Sequence, residues 1–383
     1  MKRVLPWLLI PLAFGLLLAA AYAPLPVPHT LDFRVIYFAN KGVMFGAPLY
    51  DQAAQEQVIA NLAGVSPEQV TLHPFPYPPW YALLTLPLAF LPITVAARLW
   101  LELNLVMLLL SVWLLTNKWK PRERLVAFLT AVVFLPVLGA LYVGQYVFPV
   151  LLGLALLTFA LSNKKPFLIA LAAALLTFKP HLGGLALIAL IIYLWQHRDT
   201  FGKRALGMTA ALGVFLFGVG FLVDPAWPVR YLRSISGYGR IPGVQTCEIC
   251  ASLPVTVARW LGLQGMQPAY LIAGLLLLIL LGVIVWKRSL WLSPGSVVAG
   301  ITLVTLLVSP YLLNYDFVLL IVPVFILAGQ TKQRLDWIFL STAYFIPWLG
   351  LGFFGRQGNI VLILSAVLVA VHLYLRTRKT GQV

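Results

Sequence analysis

Hydrophobic runs recur along the whole chain, and polar residues are mostly confined to the short stretches between them. Many runs approach the ~20 residues that a helix needs to cross the ~30 Å hydrocarbon core of a membrane. The pattern predicts an all-α polytopic membrane protein that forms a single domain over residues 1–383. We predict twelve spans, at Leu5–Ala23, Ala97–Thr116, Leu125–Val143, Tyr146–Leu161, Pro166–Phe178, His181–Trp195, Ala205–Leu222, Ala269–Trp286, Gly295–Val308, Asp316–Ala328, Leu335–Leu349 and Asn359–Leu375.

One further segment, Pro78–Pro92, is apolar but only 15 residues long. Cytoplasmic loops are enriched in Lys and Arg, so the distribution of charge decides whether this segment crosses. With twelve spans, 18 of the 27 Lys and Arg residues are cytoplasmic; a crossing here would leave 12 and would place Lys179 in mid-membrane. Both consequences are unfavourable. We therefore expect the segment to lie along the outer surface or to dip in and return, with both chain termini cytoplasmic.

Composition and charge narrow the class of protein. Of all residues, 61% are hydrophobic and 10% are charged, which excludes an ordinary soluble domain. The net charge of +16 would suit a nucleic-acid binder, but no soluble basic face is predicted, and cytoplasmic loops account for the charge. Met1-Lys2-Arg3 before an apolar run resembles a signal peptide. No A-x-A cleavage site follows cleanly, so we expect that run to remain as the first span of a protein of the cytoplasmic membrane.

Two extracytoplasmic loops are long, at about residues 24–96 and 223–268. In the first, Gln52–Ala63 predicts a short amphipathic helix with Val58, Ile59 and Leu62 on one side. The second combines aromatic residues with four arginines, which suggest an anionic acceptor or lipid headgroups: Arg230, Arg233, Arg240 and Arg259.

Asp32 lies where the chain first emerges from the membrane, and only 11 of the 383 residues are acidic. A carboxylate followed by Arg34 and Tyr37 in a membrane-bordering segment suits a general base that accepts the proton of an acceptor hydroxyl. The alternative is a helix cap or a solvated loop carboxylate. For Asp51 and Asp316 the capping role is favoured: Asp51 suits a turn or a helix N-terminus after Tyr50, and Asp316 would cap the tenth span.

Lys179 is the cation that we expect to bind an anionic group. The runs before Lys179 and Ser309 have only 13 to 15 residues, about 20 Å of helix, so they should end below the outer membrane surface. Charged, irregular backbone at that depth is tolerated where it lines a cavity. Such a recessed cation suits the phosphate of a lipid; the alternative is a lysine that snorkels from a helix end.

Other chemistries find little support. The sequence has no Ser/His/Asp set, no glycine-rich phosphate loop and no cluster of metal ligands, so we predict neither a cofactor nor a metal. Cys247 and Cys250 have the spacing of a redox or half-zinc motif, but they stand alone. A small loop disulfide is the favoured interpretation on the oxidising side of the membrane.

Six short motifs resemble, in their order, those of one family. They are Asp32…Tyr37 with Gly46…Leu49-Tyr50, Tyr77-Pro78-Pro79…Leu91-Pro92, Ala96-Ala97-Arg98-Leu99-Trp100, Gly144-Gln145, Lys179-Pro180 and Ser309-Pro310. Together they resemble the C-type glycosyltransferases that use polyprenyl-phosphate sugars, specifically the family-87 group related to phosphatidylinositol-mannoside α-1,2-mannosyltransferase. The chain departs from that family at Tyr146, where an Asn is usual, and at Asn314-Tyr315-Asp316, where histidines are usual.

The resemblance implies a GT-C bundle and inverting transfer of a sugar, commonly mannose, from a polyprenyl-phosphate donor to a lipid or glycan acceptor. Asp32 would be the base. Lys179 and Arg98 would bind the donor phosphate, although Arg98 could instead pair with Glu102. Further candidates for sugar or acceptor contacts are Tyr37, Tyr77, Gln145, His181, Asn314 and Asp316. A transporter or flippase of lipid-linked sugars is the alternative, but it requires paired broken helices that the sequence does not show.

Overall fold

The structure, a computed structural model, describes residues 15, 32–197, 199–238, 247, 249–286, 293–331, 333–354 and 360–380. Within these residues it has seventeen α-helices and no strand. The first nine are α1 (Phe33–Met44), α2 (Gln52–Ala63), α3 (Pro79–Thr85), α4 (Ile93–Leu115), α5 (Pro121–Val132), α6 (Leu135–Val143), α7 (Phe148–Ser162), α8 (Pro166–Leu176) and α9 (Pro180–Gln196).

The remaining helices are α10 (Thr200–Val219), α11 (Trp227–Tyr238), α12 (Leu253–Trp260), α13 (Met266–Trp286), α14 (Pro294–Val308), α15 (Ile321–Ala328), α16 (Arg334–Phe354) and α17 (Val361–Thr380). Short 3-10 helices occur at Pro67–Gln69, Leu86–Phe90, Gly220–Leu222 and Asn314–Leu320. All predicted spans that the structure describes are helical, which agrees with a polytopic membrane protein. The predicted first span, Leu5–Ala23, lies outside the described residues except for Gly15.

By length and apolar composition, two described helices could each cross a membrane, Ile93–Leu115 and Thr200–Leu222. The predicted span Leu125–Val143 is divided into α5 and α6, which are bent by 54° and together have the length of one more crossing. Eight other apolar helices are shorter, so the number of twelve crossings stays a prediction. Helix α3 and the 3-10 turn after it cover only Pro79–Phe90, about 20 Å and less than a membrane's hydrocarbon thickness.

Helix α7 is the centre of the main core. It packs against α4, α8 and α14, and eleven of its fifteen residues are buried. By contrast, the described side chains of α10 are mostly exposed, and only Gly202 and Ala205 are buried. An apolar helix exposed in this way is suited to contact with lipid.

The first long loop forms a second core of its own. Helix α2 has the predicted bounds, and Asp51 caps it by accepting a hydrogen bond from the Ala54 N–H at 3.2 Å. The apolar side predicted for this helix is only partly buried, because Leu62 is 48% exposed. The buried positions are instead Gln55, Ile59 and Ala60, since Gln55 turns inward to donate to backbone carbonyls of residues 47 and 48.

The second long loop is tied to the first by a buried carboxylate. Asp224 accepts hydrogen bonds from the N–H groups of Tyr50, at 3.4 Å, and Ala226, at 2.9 Å. Arg230 on α11 pairs with it at 3.2 Å. Farther along this loop a disulfide joins Cys247 and Cys250, which agrees with the favoured interpretation of this pair. The contacts of Asp224 fix α11 beside the first loop.

Candidate active site

The site is built on the turn between α6 and α7. Gly144 ends α6 with φ +71°, a left-handed conformation that suits glycine, and the turn leaves Gln145 buried. Two polar side chains of α4 hold this turn: Trp100 donates to the Gly144 carbonyl at 2.9 Å, and Asn104 donates to the Gln145 carbonyl at 3.1 Å. The position of the Gln145 side chain is therefore fixed by a neighbouring helix.

Asp32 lies directly against this turn. Its N–H donates to the Val143 carbonyl at 3.1 Å, and its own carbonyl accepts from the Tyr146 hydroxyl at 2.7 Å. Its side chain makes no capping bond to α1; instead, Oδ2 accepts from Nε2 of Gln145 at 2.7 Å. The backbone of Asp32 is thus pinned on both sides, and its half-buried carboxylate is directed by Gln145. The capping alternative for Asp32 is not what the structure shows.

Lys179 and Asp316 form a buried ion pair next to Gln145. Nζ of Lys179 is 2.6 Å from Oδ1 of Asp316, and the two side chains are 4% and 0% exposed. The same Nζ donates to Oε1 of Gln145 at 3.3 Å and lies 5.1 Å from the ring centre of Tyr315. One amide therefore connects the carboxylate of Asp32 to the ammonium of Lys179.

The placement of both partners follows from local structure. Lys179 occupies the N-terminal end of α9, and Pro180 follows it at the first helical position, where proline is favoured. The hairpin of α8 and α9 is tight, because a Cβ at Gly183 would overlap the Leu176 carbonyl. Asp316 caps the 3-10 helix Asn314–Leu320 through the Leu313 N–H at 2.9 Å. The predicted capping role of Asp316 is confirmed, and the ion pair is an additional one.

Burial raises the pKa of the Asp32 carboxyl, because removal from water disfavours the charged form. The hydrogen bond from Gln145 and the charges of Lys179 and His73 act in the opposite direction, and Asp316 adds to the increase. A carboxylate with a raised pKa is a stronger base than an exposed aspartate, and it remains stabilised when ionised by the donors around it.

Aromatic rings form one wall of the site. Tyr77 packs edge-on against Tyr146 with ring centres 4.6 Å apart, and Tyr81 stacks on Phe178 at 4.7 Å. Tyr37 is buried beneath this wall, and its hydroxyl donates to the Leu91 carbonyl at 2.8 Å. The structure thus gives Tyr37 a role in attaching α1 to the segment after α3; its predicted contact with substrate stays a prediction.

The other predicted residues differ in how deeply they are buried. Arg98 is half-buried on α4, two residues before Trp100. His181 is exposed in the first turn of α9, and its ring lies edge-on to Tyr311 at 6.0 Å. Asn314 is exposed beside the ion pair, and its Oδ1 accepts from the Tyr315 N–H at 2.8 Å. Their substrate contacts stay predictions.

A cavity of about 640 Å³ lies on the other side of α1 from the core. Arg34, Val35 and Phe38 of α1 contribute to its lining, and His73, whose charge acts on Asp32, faces them. The remaining lining combines amides, hydroxyls and aromatic rings: Gln52, Gln55, Tyr50, Thr71, Phe75 and Ser234 among them. These amides, hydroxyls and rings, together with the cation of Arg34, suit a polyhydroxylated ligand. We call it the α1 cavity.

Sequence reasoning missed several residues of the site. Asn104 and Trp100 orient Gln145, and Tyr146 holds the backbone of Asp32, yet none was predicted to do so. A buried asparagine in the middle of a span was the signal that could have indicated Asn104, because polar groups at that depth require partners. In the residues that the structure describes, no three His, Cys, Asp or Glu side chains form a group able to hold a metal ion.

Comparison with known proteins decides the family. A family model described as Glycosyltransferase family 87 matches residues 75–310, more than half of the chain. The chain belongs to glycosyltransferase family 87. The match includes Tyr77, Arg98, Gln145 and Lys179, and it begins after Asp32 and ends before Asp316. No curated protein and no solved structure matches this family-87 chain.

Proposed function

We propose that this family-87 protein transfers a sugar from a polyprenyl-phosphate donor to a hydroxyl of a lipid or glycan acceptor, with inversion, and that Asp32 is the general base. The observation that carries the proposal is the bond between Asp32 and Gln145 at 2.7 Å, which presents a half-buried carboxylate next to a buried lysine. Membership of family 87 supports the transfer of a sugar. The chemistry of Asp32 and Lys179 supports the assignment of the base and of the cation that binds the donor phosphate.

In this mechanism the acceptor hydroxyl lies against the oxygen of Asp32 that Gln145 does not bind. Asp32 takes the hydroxyl proton as the acceptor oxygen attacks the anomeric carbon, and the bond to the phosphate oxygen breaks. A single displacement of this kind inverts the anomeric configuration and needs one base. The raised pKa of Asp32 favours its acceptance of the proton.

Lys179 stabilises the charge that develops on the departing phosphate. An ammonium has three N–H donors, and Asp316 and Gln145 take two of them. We assign the third donor to a phosphate oxygen, with Arg98 as a second cation. In a water-poor site, a preplaced cation stabilises developing charge more strongly than it would in bulk water. A donor linked through a single phosphate carries less charge than a pyrophosphate-linked donor. It therefore needs less neutralisation of charge by metal ions.

The α1 cavity supports a place for the acceptor. Its lining begins two residues after Asp32, and Arg34 and His73 give it a basic side. An acceptor held there would lie against the helix that begins directly after Asp32. The topology predicted from charge places this face outside the cytoplasmic membrane, with both termini in the cytoplasm. We assign mannose as the sugar because of the family resemblance, and Tyr77, His181 and Asn314 as its candidate contacts.

The test is transfer of radiolabelled mannose from polyprenyl-phosphate mannose in membranes that contain the wild-type protein or Asp32→Asn at equal expression. We expect the variant to lose at least about 100-fold in rate, the lower end of what a general base contributes, and to retain donor binding. Asp51→Asn is the matched control, because it removes the same charge from the same loop but asparagine still caps α2. Full activity of Asp32→Asn would contradict the assignment of the base.

A flippase assay completes this test. A flippase would move lipid-linked sugar across the membrane without making a glycosidic bond, so its substrate would change leaflets while no labelled acceptor accumulates. Transfer without translocation supports the enzyme, and translocation without transfer would replace the proposed activity. The anomeric configuration of the product, determined by NMR, tests inversion separately.

A further inference from the structure

A second large cavity lies far from Asp32. It has a volume of about 700 Å³ and is bounded by α5, α15, α16 and the turn before α5. We call it the basic groove. Its lining residues include Lys118, Trp119, Arg122, Val126, Phe325 and Trp337.

The basic groove and the candidate active site lie at opposite ends of the same helices. Lys118 lies in the turn before α5 and Arg122 lies in its first turn. The chain then runs through α5 and α6 to Val143, whose carbonyl accepts from the Asp32 N–H. Helix α15 likewise descends from the 3-10 helix that contains Asp316 to Ala328 in the groove lining. A ligand in the groove would therefore be separate from the reacting groups.

The mouth of the groove is basic. The side chains of Lys118 and Arg122 are both exposed there. Glu123 is the one acidic residue among the described lining residues, and its Oε2 accepts from the Lys120 N–H at 3.1 Å. At the first turn of α5 this carboxylate is also favourably placed toward the helix dipole, so it is engaged by its own helix. Two cations consequently remain to face a ligand.

The interior of the groove becomes apolar with depth. A smaller cavity continues it and shares Thr130, Val324, Phe325 and Tyr344 with its lining. The polar groups there are occupied within the protein: the Tyr344 hydroxyl donates to the Thr130 carbonyl at 3.0 Å, and the Thr130 hydroxyl donates to the Val126 carbonyl at 2.9 Å. What remains available to a ligand at that depth is apolar surface.

We propose that the basic groove binds an anionic phospholipid, with its phosphate at Lys118 and Arg122 and one acyl chain along α5 and α15. The order of surfaces, from cations through Trp119 and Trp337 to an apolar end, matches the order of groups in such a lipid. Arg122 offers paired N–H donors to phosphate oxygens, and basic sites between helices at the cytoplasmic surface recognise anionic headgroups. Charge complementarity favours an anionic lipid over a zwitterionic one.

The test is native mass spectrometry of the purified full-length protein with phosphatidylglycerol or phosphatidylcholine added. We expect phosphatidylglycerol to bind more tightly than phosphatidylcholine. The double variant Lys118→Gln/Arg122→Gln should weaken its binding by about ten-fold or more, because each basic residue near a lipid surface attracts the anionic headgroup. Lys164→Gln/Lys165→Gln is the matched control, because both lysines are exposed and neither lines the groove. This control should bind phosphatidylglycerol like the wild type.

A second variant tests the apolar part. Val126 is exposed in the groove, and Val126→Trp should block an acyl chain while both cations remain, so phosphatidylglycerol binding should also fall. Equal binding of the two lipids, or equal losses in the two charge variants, would overturn the proposal. Tighter binding of a polyprenyl phosphate than of phosphatidylglycerol would also overturn it, since the groove would then belong to a substrate lipid. Unfolding temperatures in detergent identify any variant that fails to fold.

Discussion

The side-chain amide of Gln145 donates to Oδ2 of Asp32 at 2.7 Å, although 113 residues separate the two in the chain. The oxygen of the same amide accepts from Lys179 at 3.3 Å and from the Tyr146 N–H at 3.1 Å. These partners fix the orientation of the amide, because a carboxylate can only accept and an ammonium can only donate. Gln145 is therefore a positioning residue that sets both the direction and the basicity of Asp32.

Replacement of Gln145 by Met should slow transfer and shift its pH dependence. Loss of a hydrogen bond to a charged group costs about 1.5–3 kcal/mol, or roughly a ten- to hundred-fold loss in rate. Transfer needs the ionised carboxylate, so kcat/KM falls as the pH falls through the pKa of Asp32, which burial already raises. The bond from Gln145 lowers this pKa, so its removal should move the acid limb to higher pH.

The measurement is kcat/KM for transfer as a function of pH for both proteins. Gln57→Met is the control, since Gln57 is exposed on α2 and bonds only Asn61 within the described contacts. A purely structural role for Gln145 would lower the rate at every pH without moving the limb. An unshifted limb would therefore contradict the positioning role.

The ion pair of Lys179 and Asp316 should contribute separately to stability and to transfer. Lys179→Met leaves a buried carboxylate without its partner, which typically costs about 3–5 kcal/mol. Adding Asp316→Asn removes that charge but keeps an oxygen for the Leu313 N–H, so the double variant should unfold at a higher temperature than the single one. Both variants should remain poor in transfer, because neither retains the cation.

Thermal unfolding in detergent and the transfer assay together check this prediction. Arg230→Met provides a comparison, because Arg230 is 35% exposed and Asp224 keeps two backbone N–H donors without it. This variant should lose less stability than Lys179→Met. Recovery of transfer in the double variant would show that Lys179 serves only to neutralise Asp316.

The helical segments were predictable from the sequence, whereas their breaks were not. Apolar runs mark most of the described helices, because lipid-facing and core-facing positions are both apolar. The division of Leu125–Val143 into α5 and α6 escaped prediction, since the run is apolar on both sides of Phe134. Pro136 was the available signal: it cannot donate to the preceding turn, and the chain is extended at Phe134.

The candidate site was predicted as separate residues, not as an arrangement. Asp32, Gln145, Lys179 and Asp316 were each singled out by being polar in apolar surroundings, and the structure brings all four together. Their pairing joins residues up to 137 positions apart, and no local pattern encodes such a contact. Asp316 was expected mainly as a cap for the same reason: capping is local and visible in sequence, while an ion pair with Lys179 is tertiary.

Gly144 should tolerate alanine poorly. At φ +71° a side chain meets the backbone, and the left-handed conformation costs about 1–2 kcal/mol for a residue other than glycine. Gly144→Ala should therefore lower the unfolding temperature and, by shifting Gln145, slow transfer. Gly139→Ala on the same helix is the control, because a Cβ there meets nothing within 4 Å and alanine favours a helix. Equal behaviour of the two variants would contradict the role of the turn.

Arg34 should affect the acceptor and not the donor. It is exposed two residues after Asp32 and lines the α1 cavity, away from the buried ion pair that we assign to the donor phosphate. Arg34→Gln should raise the KM for the acceptor about five-fold or more, since an interaction of an exposed charge is worth roughly 1 kcal/mol, and should leave the KM for the donor unchanged. Arg204→Gln removes the same charge from the exposed surface of α10, is not among the described residues that line the cavity, and should change neither value. Steady-state kinetics with each substrate varied in turn distinguish these outcomes. An increase confined to the donor KM would contradict the assignment and indicate that the donor, rather than the acceptor, occupies the α1 cavity.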